Sequence, residues 1–178
     1  MKRPRPDVAV PLVDFASLYR EHARDVRRFA LYLSGDAALA DDLASEVFVR
    51  VWTARDRVDL TTVRAYLFAI VRNLFLKDRR DQGRRVPLDD RLPATEPSPE
   101  HRMSDLSDWR AVAAALRQLP EIDRAALLMR ADEGLPYEDI AAALGISVAA
   151  AKVKVHRSRL KLAEMLKTVP AGSKGART

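Results

Sequence analysis

The sequence predicts an all-α fold: two small helical domains joined by a flexible acidic linker, the second domain containing a helix-turn-helix. Three observations in the 178 residues predict it. Apolar residues recur every three or four positions almost throughout, and no stretch alternates as a half-buried strand would. The periodicity lapses over 86–107, where Pro87, Pro93, Pro97 and Pro99 fall among polar residues. Finally, residues 135–147 running into 148–162 have the spacing of two helices joined by a three-residue turn.

In the first domain, residues 12–85, Leu12, Phe15, Leu18, Tyr19, Val26, Phe29 and Leu33 mark an amphipathic helix stopped by Ser34 and Gly35. Asp36 caps a second helix, for which Leu39, Leu43, Val47, Val51 and Trp52 supply the buried stripe. Thr61 or Thr62 opens a third, with Val63, Tyr66, Leu67, Ile70, Val71 and Leu74 inward. The linker, 86–107, and its boundary residue Asp108 carry six carboxylates against two arginines, the composition of a solvated tether.

The second domain, 108–168, begins with a helix over 109–119. Pro120 starts another over 121–133, with Gly134 as its stop. In the helix-turn-helix, Ala141 suits a close helix crossing, and Gly145 suits the left-handed residue of the turn. Ile140, Leu144 and Ile146 fill the angle, and Ser147 is a good N-cap. The last helix has an apolar stripe of Val148, Ala151, Val155, Leu162 and Leu166. Lys154, Arg157 and Lys161 are expected opposite it, flanked by Lys152, His156 and Arg159, with no acid until Glu164. Such a basic face suits phosphate neutralisation and base-edge contact in a major groove. The tails, 1–11 and 169–178, are expected to be disordered.

Composition narrows the function. The formal net charge is +6, which favours a polyanionic partner. With no cysteine, disulfides and thiolate zinc sites are excluded. His22, His101 and His156 lack metal-ligand spacing, and no glycine loop cradles phosphate, so neither enzyme, metal site nor cofactor is expected. No apolar run reaches the roughly 20 residues of a membrane span, and no signal peptide is apparent. A soluble cytoplasmic protein with no membrane contact is the expectation.

The motifs resemble those of the extracytoplasmic-function (ECF) sigma factors in the sigma-70 family, promoter-specificity subunits of bacterial RNA polymerase. In the first domain the resemblance rests on Ala40-Asp41-Asp42-Leu43-x-x-Glu46-Val47-Phe48-Val49-Arg50-Val51-Trp52. It continues in Tyr66-Leu67-x-x-Ile70-Val71-Arg72-Asn73 and the basic run to Arg85. In the second domain it rests on Leu119-Pro120, Tyr137-Glu138-Asp139-Ile140-Ala141, Gly145-Ile146-Ser147, Lys152 and His156-Arg157-x-Arg159-x-x-Leu162.

The resemblance implies a division of labour. The helix over 36–54 would dock on core RNA polymerase through Asp41, Asp42, Glu46, Phe48, Val49 and Arg50. Phe48 and Trp52 could be core or interface anchors, and Glu46 with Arg50 could be an ordinary surface pair. The third helix would open and read the minus-ten element of promoter DNA with Phe68, Arg72, Asn73, Arg79 and Arg80. Phe68, Arg72, Phe75 and Arg79 would share one face, unless the two phenylalanines complete the core. The loop over 55–62 would capture a flipped base, and Arg84 and Arg85 would extend the cationic strip.

The last helix would read the minus-thirty-five duplex with Ser147, Ala150, Lys152, Lys154, Arg157 and Lys161. Here the chain departs from the family's usual Gly-Thr-Val-Lys-Ser-Arg, having Ala149-Ala150-Ala151-Lys152-Val153-Lys154. Ser45 likewise replaces a common glutamine. An anti-sigma factor is the further partner implied. The competing readings are a sigma-like decoy that sequesters an anti-sigma factor and a stand-alone helix-turn-helix regulator.

Overall fold

The computed structural model describes residues 12–53, 63–84, 103–131 and 134–167. Among the described residues seven helices follow one another: α1 Leu12–Ser34, α2 Ala37–Thr53, α3 Val63–Arg84, α4 Met103–Arg117, α5 Glu121–Ala131, α6 Tyr137–Leu144 and α7 Val148–Lys167. No strand occurs among the described residues. The expected tails, the 55–62 loop, Arg85 and most of the linker lie outside the described residues. The linker's last part does not: α4 begins at Met103, so helix runs into residues read from sequence as tether.

The α1–α2 hairpin turns on two residues. Gly35 takes a left-handed φ of 74°, and its N–H donates to the Leu31 carbonyl. Asp36 then caps α2, its Oδ1 accepting the Leu39 N–H at 3.0 Å. Val26, Phe29, Ala30 and Leu33 of α1 close on Ala40, Leu43, Val47 and Val51 of α2. Helix α3 completes the bundle with Leu67, Phe68 and Val71.

In the second bundle α5 is the central element. Six consecutive residues, Arg124 to Met129, are buried. A helix covered on all sides belongs inside its domain. Helices α6 and α7 lean on it and on each other. Gly145 has a φ of 66°; its N–H donates to Ala142 and the Ile146 N–H donates to Ala141. This pair of bonds satisfies the last carbonyls of α6 and bends the chain sharply into α7. The Ser147 hydroxyl then caps α7 by accepting the Ala150 N–H at 3.1 Å.

The two bundles do not stand apart. Helix α3 packs on α6, and α1 on α5 and α4, so the apolar core runs continuously through both. The seam also carries charge. Arg72 of α3 donates from Nε and Nη2 to the two carboxylate oxygens of Glu121 on α5, at 2.6 and 2.9 Å. Both side chains are mostly shielded from solvent. At the hairpin, a Cβ on Gly35 would come within 3.0 Å of the Arg117 side chain of α4.

Candidate functional site

On α2, the packing faces separate cleanly. Phe48 is buried in an aromatic cluster, edge-on to Tyr19 at 4.7 Å and to Phe15 at 6.5 Å. Trp52 is half-buried, edge-on to Phe15 at 4.8 Å. The opposite side exposes Asp41, Asp42, Ser45, Glu46, Val49 and Arg50. Three of its four charges are paired: Asp41 accepts from Arg27 of α1, and Arg50 Nε donates to Glu46 at 2.8 Å. Asp42 has no ion-pair partner among the described residues, and Val49 is 57% exposed.

Helix α3 corrects the expected aromatic surface. Phe68 is buried against Phe29, with ring centroids 4.7 Å apart, and so does not share an exposed face with Arg72. Phe75 is also buried, lying beneath the guanidiniums of Arg79 at 5.9 Å and Arg124 at 6.0 Å. The reason is geometric. Because α3 lies between its own bundle and the second one, more than one side of it is covered. Arg72 is held by Glu121, while Asn73, Arg79 and Arg80 remain exposed. The side chains of residues 84 and 85 lie outside those described.

Arg124 is the unexpected member of this seam. It is only 5% exposed, and its Nε finds no hydrogen-bond acceptor. Burial pushes its guanidinium below the ordinary arginine range; Glu121 pulls it back, and Arg79 and Arg117 push it down further. Arginines thus outnumber carboxylates where the two bundles meet. Residue spacing carries no signal of this, since the contributing residues come from α3, α4 and α5.

Helix α7 also differs from its sequence reading. Lys154 is not free: its Nζ lies 2.7 Å from Asp123 Oδ1 of α5, and both side chains are largely covered. One turn on, Ser158 is buried and donates its hydroxyl to the Asp123 carbonyl at 3.3 Å. The buried stripe is therefore Ala151, Val155 and Ser158, with Leu162, Met165 and Leu166 partly covered. Lys154 sits at the stripe's edge, where it can reach an α5 carboxylate.

The centre of the solvent face is occupied by Ala149, Val153, His156 and Leu160, at intervals of four, three and four. Lys152 and Arg159 are exposed along one side of this row, and Arg157 and Lys161 along the other. Lys152 also lies 5.8 Å from the Tyr137 ring centre of α6, which itself receives Arg130 at 4.8 Å. Ala150 is half-buried. No group of histidines and carboxylates suited to a metal ion occurs among the described residues. No described helix is long and apolar enough to cross a membrane.

Comparison with known proteins accounts for both bundles. The family model for sigma-70 region 2 matches residues 18–85, and that for sigma-70 region 4 matches residues 109–162. The ECF RNA polymerase sigma factor SigE of Mycolicibacterium smegmatis is 38% identical over 154 residues, 84% of this chain and 60% of that protein. The chain thus spans less than two thirds of that relative. EcfG of Rhodopseudomonas palustris is 36% identical, over 79% of this chain and 78% of its own. SigL of Mycobacterium tuberculosis is 33% identical, over 84% and 89%.

Among solved structures, the sigma factor RpoE in complex with the anti-sigma factor NepR from Bartonella quintana aligns with a TM-score of 0.78 and 28% identity. It covers 89% of this chain and 99% of that one. CnrH in complex with the cytosolic domain of CnrY aligns with a TM-score of 0.67 and 27% identity, over 89% and 91%. Two family models in order, and two relatives matched along most of their length, place the chain: it belongs to the ECF RNA polymerase sigma factors of the sigma-70 family.

Proposed function

We propose that the chain is a promoter-specificity subunit with no chemistry of its own, directing core RNA polymerase to promoter DNA. The observation that carries this reading is the pairing of two surfaces on separate bundles. A capped helix-turn-helix presents α7 with cations on both sides, and α2 presents an exposed face beside an unpaired Asp42. A lone helix-turn-helix regulator would leave the α2 face unexplained.

In this reading residues 12–85 dock on polymerase through Asp42, Val49 and their neighbours. They meet the minus-ten element through Arg72, Asn73, Arg79 and Arg80. Residues 108–168 meet the minus-thirty-five element through α7. Arg72 cannot contact DNA while Glu121 holds it, so the bundles separate before the minus-ten element is engaged. One structural relative is a sigma factor bound to an anti-sigma factor, and another, CnrH, is bound to the cytosolic domain of CnrY. An anti-sigma factor that favours the closed packing is therefore the natural regulatory partner here.

The test is reconstitution. The full chain should co-purify with core polymerase and start transcripts at positions set by a shared upstream sequence. Failure to bind core polymerase at low salt overturns the assignment. Binding without any promoter-dependent start would favour a decoy.

A further inference from the structure

The face of α7 that a duplex would meet has an apolar centre. Val153 is 46% exposed and Leu160 is 60% exposed, two of the few large apolar side chains left so open among the described residues. Ala149 extends the row toward the helix N-terminus. Exposed cations stand along both sides of the row, Lys152 on one and Arg157 on the other. The lysine that would have offered a polar contact, Lys154, is committed to Asp123.

This arrangement matches the cross-section of a major groove: two walls of phosphate with base edges between them. Ala149 and Val153 lie about 6 Å apart along the helix, well inside a groove about 12 Å wide. Leu160 lies about 16 Å from Ala149, beyond the first turns that reach base edges in helix-turn-helix complexes. Among base edges in that groove, the C5-methyl of thymine is the apolar group an alkyl side chain can meet.

We propose that α7 selects its duplex by apolar contact, with Ala149 and Val153 favouring thymine methyls while Lys152 and Arg157 hold the phosphates on either side. The proposal rests on the DNA-contacting role given to α7 above. It makes Val153 a specificity-determining residue and predicts an upstream element with thymines at fixed positions. The occupant is argued from charge: cations border the row on both sides, and the acid nearest on the helix, Glu164, lies beyond it.

The experiment uses holoenzyme reconstituted from the full chain and core RNA polymerase. Duplexes are selected from a random pool, then resynthesised with deoxyuridine in place of each thymine, which removes only the methyl. Wild type should lose about fourfold in affinity for each contacted methyl, the effect of burying one such group. Val153→Ala should lose the uracil penalty at the position Val153 meets and keep it at the one Ala149 meets, whereas Leu160→Ala should keep the wild-type discrimination throughout.

Indifference of the wild type to uracil at every position, with steep salt dependence retained, overturns methyl reading but leaves duplex binding intact. A uracil penalty undiminished at every position in Val153→Ala overturns the assignment to that residue. If no duplex is enriched, the DNA-contacting role itself fails. Loss of a protein partner by Val153→Ala and Leu160→Ala, without any uracil effect, makes the row a protein-binding face and rejects the proposal.

Discussion

Arg72 and Glu121, 49 residues apart in sequence, form a two-bond ion pair across the seam between the helical bundles. Its side chains are 14% and 21% exposed, so neither water nor salt screens it fully. Breaking such a pair from one side leaves a charge poorly solvated and without its partner.

Arg72→Ala and Glu121→Ala should each destabilise the closed packing by about 3 kcal/mol, and the double variant by clearly less than their sum. Chemical denaturation gives the three values. Strict additivity would mean that the two side chains do not depend on each other.

On α7, two cations should separate by role. Lys154→Ala should lower stability by about 1 kcal/mol, since it removes a shielded link to Asp123, and should leave the salt dependence of duplex binding unchanged. Arg157→Ala should leave stability alone and flatten the salt dependence by about 0.9 log units for each phosphate no longer neutralised. A fall in the salt slope with Lys154→Ala would place that ammonium on DNA instead.

Turn chemistry gives a third expectation. Gly145→Ala forces a side chain into the left-handed region at a φ of 66° and should cost about 1–2 kcal/mol. The space itself is open, with nothing within 4 Å of the added Cβ, so any larger drop in a melting experiment would need another cause. Asp36→Ala, by removing the cap of α2, should cost about 1 kcal/mol in the same assay.

The α2 surface is testable without touching the core. Val49→Asp places a charge on an exposed position and should leave melting unchanged. It should weaken binding to core RNA polymerase by about tenfold or more, the signature of an interface position worth at least about 1.4 kcal/mol. Unchanged affinity, measured by competition against wild type, would move the docking surface elsewhere.

Much of the fold is legible in the sequence because local signals and tertiary packing agree. Ser34–Gly35–Asp36 and Gly145–Ile146–Ser147 set both sharp turns, and the apolar stripe of α2 is buried largely as its period predicts. Phe68, Arg72 and Lys154 depart from expectation for one common reason. Periodicity tells which side of a helix is apolar but not how many neighbours cover it. Phe68 is enclosed against Phe29 of its own bundle; Arg72 finds Glu121 once the second bundle lies on α3, and Lys154 finds Asp123 once α5 lies beside α7. Ser158 escapes the pattern because a hydroxyl interrupts the apolar stripe, although it sits on the buried side. Val153 and Leu160 are hard to see in sequence because the cations around them dominate the helix's composition.

Glu121 and Asp123 share the first turn of α5, one gripping α3 and the other α7. The ion pairs that fasten α3 and α7 to α5 thus hang from a single stretch of backbone, a shared anchorage whose two hooks stand only two residues apart.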